Sequence, residues 1–166
     1  MPATGAADAS GTGVSHDASA RGVRDVAAHL PERIVFFDAV CGFCDAAVQA
    51  LLARDPDGRL HFAPLQGEAA AALRAARPDA FPPGIDTFVY AARERGALRV
   101  RVRSEAALAV ARELGVAPRA IALLALVPRP LLDLAYRAFA AVRYRVFGRL
   151  DACRVPTPAE RARFLD

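Results

Sequence analysis

Cys41 and Cys44 stand two residues apart in the run Phe36-Phe37-Asp38-Ala39-Val40-Cys41-Gly42-Phe43-Cys44. Two thiols at that spacing serve either of two chemistries. One is thiol–disulfide exchange, in which a first sulfur attacks a disulfide and a second resolves the mixed intermediate. The other is half of a tetrahedral zinc site, which needs two more ligands. Asp38, three residues before Cys41, adds a carboxylate that could accept or supply the proton when Cys44 attacks. It could equally serve the turn alone, by accepting backbone N–H groups. Gly42 and Phe43 either tune access to the Cys41 sulfur or pack locally.

The elements around the pair bear on this choice. Ile34-Val35-Phe36-Phe37 is a short apolar, β-rich run, the pattern of a buried strand. After the cysteine turn, Ala46, Val48, Leu51, Leu52 and Ala53 continue as a helix that stops near Asp55-Pro56-Asp57-Gly58. The pair therefore falls at a strand-to-helix junction, where unpaired N–H groups and the helix dipole favour an anion. A thiolate at Cys41 gains from that placement, and its pKa is expected below the ~8.5 of a free thiol. Cys44 lies one turn further in, placed to resolve. Zinc binding lacks a second such pair; Cys153 and His61 could complete a set only from distant segments. Otherwise Cys153 reads as a spare thiol or a third redox partner, and His61 as a sheet-face residue rather than a proton shuttle.

Further along, Leu60–Ala63 reads as a second strand, Gln66–Arg77 as an alanine-rich helix, and Thr87–Tyr90 as a third strand. Arg93-Glu94-Arg95-Gly96 suits a hairpin turn. Leu98, Val100 and Val102 alternate with Arg99, Arg101 and Arg103, as expected of an edge strand. Ser104 is placed to cap a helix that Gly115 stops. Helices are expected over about Pro118–Leu126 and Pro130–Val146, and a short last helix at Thr157-Pro158-Ala159-Glu160 with a capping box. The order β-α-β-α-β-β-α followed by helices implies a parallel pair early and an antiparallel pair late. The expected fold class is α/β: a mixed four-stranded sheet flanked by helices, thioredoxin-like, with extra C-terminal helices. Residues 1–31, rich in Ala, Gly, Ser, Thr and Asp, read as a disordered tail. Residues 32–166 read as the domain, with its helical extension from about residue 117.

The segment Phe36–Cys44 resembles the signature of the DCC thiol-disulfide oxidoreductase family, named for an Asp and two Cys that match Asp38, Cys41 and Cys44. The similarity continues through Arg54-Asp55, Phe62-Ala63-Pro64-Leu65-Gln66, Arg103-Ser104-Glu105-Ala106-Ala107 and Tyr144-Arg145-Val146-Phe147-Gly148-Arg149. It covers about residues 33–155. The resemblance implies a thioredoxin-like fold and redox activity. Two positions depart from the pattern. Ala39 stands where that family usually has Gly, which strains the turn if the position needs a positive φ. Thioredoxin-like folds also place a cis-proline before the third strand, whereas Pro82 and Pro83 are separated from Thr87 by Gly84-Ile85-Asp86.

Length and composition narrow the rest. A chain of 166 residues, 54% hydrophobic and 24% charged, suits one domain with its own core. Three cysteines are too few for a disulfide scaffold. All 22 basic residues are Arg, so lysine Schiff-base chemistry and a Walker phosphate loop are excluded. No secretory signal pattern is visible, and Arg119, Arg129, Asp133 and Arg137 interrupt the one long apolar stretch. A cytoplasmic setting follows as the expectation. Arg137, Arg143, Arg145 and Arg149 interleave with Tyr136, Phe139, Tyr144 and Phe147 in a basic-aromatic helical stripe. Such a stripe fits an amphipathic helix, an acidic partner or an anionic surface; nucleic acid is not expected.

The expected function is a thiol-disulfide oxidoreductase that reduces, forms or exchanges disulfides in a thiol- or disulfide-containing substrate, protein or small molecule. Its site is Cys41, Cys44 and Asp38. No dissociable cofactor is required, since the redox-active disulfide is the centre and an external reductant recycles it. The competing reading is a non-catalytic binding module, with the pair inert or holding zinc and the C-terminal helices recruiting a partner or a membrane surface.

Overall fold

A computed structural model describes residues 29–81, 88–150 and 156–165. The expected disordered tail, Pro82, Pro83 and Cys153 lie almost wholly outside these residues. Strand β1 (Arg33–Phe37) leads through the cysteine turn into helix α1 (Gly42–Arg54). Strand β2 (His61–Pro64) and helix α2 (Glu68–Ala76) follow. Strands β3 (Val89–Glu94) and β4 (Ala97–Val102) form a hairpin. Helices α3 (Arg103–Glu113), α4 (Pro118–Leu124) and α5 (Arg129–Phe147) come next, and a 3₁₀ turn at Arg161–Arg163 closes the chain.

The sheet order is β2-β1-β3-β4. β1 pairs parallel with β2 and antiparallel with β3. This is the expected α/β architecture, with the hairpin on one side and the βαβ crossover on the other. Successive residues of β1 serve opposite faces, as a pleated strand requires. Val35 and Phe37 join Cys41, Cys44, Val48, Phe62, Tyr90 and Val110 in one core. Ile34 and Phe36 join Ala63, Leu65, Leu73, Phe81 and Val89 in the other. Both faces of β1 are covered, which explains its unbroken apolar run.

The hairpin turns at Arg95 and Gly96, both with positive φ (51° and 80°), the backbone that a tight two-residue turn demands. Gly115, at φ 63°, ends α3 as expected. Ala39 is not among the positive-φ residues, so alanine there is unstrained.

Three details differ from expectation. β3 runs on to Glu94, so the turn is tighter than the Arg93–Gly96 span suggested. Ser104 lies inside the first turn of α3, whose N-cap is Val102, and its hydroxyl donates to Asp133 on α5. The last helix is reduced to a 3₁₀ turn, although Glu160 does reach back to the Thr157 N–H at 2.9 Å. The reason is tertiary. Phe164 stacks on Phe62, and the Leu165 N–H bonds to the Phe62 carbonyl at 2.9 Å, so the chain extends alongside β2 and covers the sheet edge. Arg163 anchors this segment on the buried carboxylate of Asp55 and on the Asp55 and Leu60 carbonyls. No helix among the described residues is long and apolar enough to cross a membrane.

Candidate active site around the cysteine pair

Cys41 is the N-cap of α1. Its sulfur accepts the Cys44 backbone N–H at 3.3 Å, so the first cysteine caps the helix that the second begins to climb. Burial, followed by the hydrogen bond and charge of Cys41, pushes the Cys44 thiol up. The Asp38 charge adds to that effect. Both thiols are free and buried, with Cys41 0% exposed and Cys44 8%.

The cover over Cys41 comes from the far end of the chain. Residue 149 forms a bridge with Cys41, and the Leu150 N–H bonds to the Val40 carbonyl at 2.9 Å. The Phe147 carbonyl presses so close to Gly42 that a Cβ there would sit 2.5 Å from it. This approach gives Gly42 its physical reason: only a residue without a side chain lets α5 end on the turn. Phe43 packs against Phe139 and Phe147, with ring centroids at 4.7 and 5.0 Å, and so fastens α1 to α5.

Asp38, 2% exposed, is the electrostatic centre of this closure. One carboxylate oxygen accepts the Val40 N–H at 3.2 Å and the Gln66 amide at 3.3 Å. The other accepts the Arg143 guanidinium at 3.1 Å and the Tyr144 hydroxyl. Arg143 also donates to the Tyr144 oxygen at 2.8 Å, closing a three-membered cycle. Burial pushes the Asp38 pKa up, but the bonds from Tyr144, Val40, Arg143 and Gln66 outweigh it and hold the carboxyl below its ordinary value. A buried anion is tolerable only with such a full set of donors.

Arg143 is 3% exposed. No role toward Asp38 was legible for it, for Tyr144 or for Gln66. A signal does exist. Residues 136, 139, 143 and 147 recur at helical spacing on the inward face of α5, so Arg143 occupies an apolar stripe and needs a buried counter-charge. Asp38 follows a strand buried on both faces and needs the converse.

Behind the pair lies a largely apolar cavity of about 660 Å³ between α1, α3 and α5, with Phe43, Leu51, Val110 and Phe139 in its wall. Cys44 contributes to that wall and Cys41 does not. His61 is far from the pair: it sits opposite Ile34 at the start of β1, whereas the cysteines follow the end of β1. Burial, then the charge of Arg163, lowers its pKa. Among the described residues no three His, Cys, Asp or Glu side chains gather as a metal set.

A family model described as DCC1-like thiol-disulfide oxidoreductase matches residues 35–149. The chain belongs to this family. The matched span of the DCC1-like family runs from β1 to the segment that covers Cys41, so strand, cysteine turn and cover fall within one family unit. The uncharacterized protein YuxK of Bacillus subtilis is 37% identical over 137 residues, covering 82% of this chain and 96% of its own length. A chloroplastic DCC family protein of Arabidopsis thaliana is 29% identical over 123 residues, covering 74% of this chain and 69% of its own. No solved structure matches. Membership supports a redox role for the mixed-sheet, thioredoxin-like fold.

Proposed function

We propose that this chain is an enzyme of thiol–disulfide exchange, with Cys41 as the attacking sulfur and Cys44 as the resolving one. The Cys41 thiolate attacks one sulfur of a substrate disulfide, forming a mixed disulfide and releasing the other sulfur as a thiolate that takes up a proton. Cys44 then loses its proton and attacks the Cys41 sulfur. The Cys41–Cys44 disulfide forms and the second substrate thiolate leaves. Two electrons pass from the pair to the substrate, and an external dithiol reductant restores the pair. Run backward, the same steps form a disulfide in the substrate.

The observation that carries this assignment is the N-cap position of Cys41, with its sulfur on the Cys44 N–H at 3.3 Å. A developing thiolate there meets N–H groups and the positive end of α1. Burial first, and its neighbour second, push the Cys44 thiol above an ordinary one, which suits the partner that acts later. Of the two parts open to Asp38, its four donors favour the positional one. A carboxyl held below its ordinary value is a weak proton acceptor, while its charge ties α5 to the turn. Since Cys41 is fully covered, exchange proceeds after residues 147–150 lift from the turn. We place the reaction in the cytoplasm, where the pair rests reduced, with no cofactor beyond the cysteines.

The test is a redox titration of the full chain, read by alkylation and mass spectrometry at each cysteine. A reversible two-electron Cys41–Cys44 couple is expected. Cys44→Ser should trap mixed disulfides at residue 41, and Cys41→Ser should abolish exchange. A pair that never oxidises, or equal trapping by both variants, would overturn the assignment.

A further inference from the structure

We propose that the outer face of α5 docks on an anionic lipid surface, with the exposed leucines of α4 and of the link after it close by in the chain. α5 is apolar on two sides. Its inward side carries Phe139 and Phe147 against Phe43 in the cysteine turn, and Tyr136 onto the Phe88 N–H. Its outward side carries Leu131, Leu134, Val142 and Val146, with Ala135, Ala138 and Ala141 among them, and these four large residues are all exposed. The outward positions recur at helical spacing over residues 131–146, about 22 Å at 1.5 Å per residue. Leu123 of α4 and Leu126 of the link after it are exposed as well; exposures over the whole set range from 42% at Val142 to 80% at Leu126. Burying core surface accounts for the first side of α5 and leaves the second unexplained.

Charge singles out the occupant. Residues 117–150 hold six arginines and one aspartate, a net +5, and the remainder of the chain, with 16 basic and 17 acidic residues, is −1. Residues 117–150 therefore carry all of the chain's net positive charge, although one of the six arginines, Arg143, is buried against Asp38. Their one acid, Asp133, accepts the Ser104 hydroxyl. Arg119, Arg137 and Arg145 are exposed, as is Arg129, which also meets Glu105 at 3.5 Å, whereas Arg149 lies over the Tyr144 ring.

Apolar side chains flanked by guanidinium groups match the boundary between acyl chains and anionic headgroups. A second copy would bring the same basic surface against itself. Residues 1–28 contain three valines and no leucine, isoleucine or phenylalanine, too little apolar surface to cover the face. An anionic lipid surface satisfies both the charge and the apolar area.

The experiment is flotation of the full chain with vesicles of phosphatidylcholine alone and of phosphatidylcholine mixed with phosphatidylglycerol. Binding to the mixed vesicles alone is expected, and it should weaken as salt rises. Replacing Arg137 and Arg145 together by Ser should lower partitioning roughly 25-fold, about fivefold for each charge near an anionic surface. Leu134→Ser with Val142→Ser should abolish it at an unchanged melting temperature; Leu126→Ser on the link provides a second variant should that pair fail to fold. No flotation with the mixed vesicles, or equal flotation with the neutral ones, would overturn the proposal. So would a dimer in sedimentation that Leu134→Ser dissociates, since a second copy would then cover the face.

Discussion

Gly42→Ala tests whether the end of α5 gates Cys41. The added Cβ would lie 2.5 Å from the Phe147 carbonyl oxygen, whereas real Cβ atoms essentially never come within 3.0 Å of a neighbour. The carbonyl must therefore retreat by at least about half an ångström, and both partners are backbone, so no rotamer relieves the clash. Overpacking of this kind costs roughly 1–3 kcal/mol. The cheapest relief is to lift residues 147–150, whose ties to the turn are the 2.9 Å bond from Leu150 to Val40, the bridge of residue 149 to Cys41 and the packing of Phe147 on Phe43. If the strain is released by opening, the open population rises by a factor of roughly 5 to 150, at 1.4 kcal/mol per tenfold. The assay is the rate of Cys41 alkylation by iodoacetamide in a Cys44→Ser background, followed by peptide mass spectrometry. Gly58→Ala serves as the control. Its φ of 65° strains any side chain, yet nothing lies within 4 Å of the new Cβ, so it lowers stability without touching the cover. Cys41 should react faster in Gly42→Ala and stay near the parent rate in Gly58→Ala. Equal acceleration in both, or none in either, would refute gating by this segment.

Arg143→Met leaves the Asp38 anion buried without its charge partner and should cost roughly 3–5 kcal/mol in urea unfolding; adding Asp38→Asn should recover part of that loss. Recovery of nothing would mean that the two residues act independently. Tyr144→Phe deletes one donor to Asp38 and should cost roughly 1.5–3 kcal/mol, as for a hydrogen bond to a charged group, with the melting temperature as the readout. The folded pKa of Asp38 is lowered, so its contribution is complete above the unfolded carboxylate value of about 3.9 and fades as pH falls through the folded one. Asp38→Asn should flatten the acid limb of the stability curve, and an unchanged slope would contradict this. His61, also lowered, loses stability as pH falls below its unfolded value of about 6.5, so His61→Asn should flatten a separate, higher window.

What could be read from the sequence was what neighbouring residues determine. The strand, cysteine turn and helix at residues 33–54 follow from a buried apolar run meeting a helical period, and the place of the pair at the start of the helix follows with them. A hairpin turn within Arg93–Gly96 and the Gly115 stop were legible for the same reason. Misreadings arose where distant groups compete for a local one. Ser104 has a cap-former's chemistry, yet its hydroxyl meets Asp133, 29 residues on, and the helix starts one residue earlier. Thr157–Glu160 has a helix start, but stacking of Phe164 on Phe62 draws the chain out after a single 3₁₀ turn. Asp38 was visible as a chemical group, but its partners at 66, 143 and 144 join it only in the fold. The cover over Cys41 depends on a backbone carbonyl, which carries no trace in residue type beyond the glycine it approaches.

The ion pair of Asp38 with Arg143 also orders events in time, because its two ends are 105 residues apart. A ribosome that has made the cysteine turn has yet to make the helix that closes it. At 5–20 residues per second, that delay is roughly 5–20 s. Through this interval the nascent chain has both thiols and neither the guanidinium nor the carbonyl that later seals them. The pair thus meets its cellular surroundings before its cover exists. Alkylation of stalled chains ending before Arg143 would read this directly, as fast labelling of Cys41 that slows once α5 has emerged.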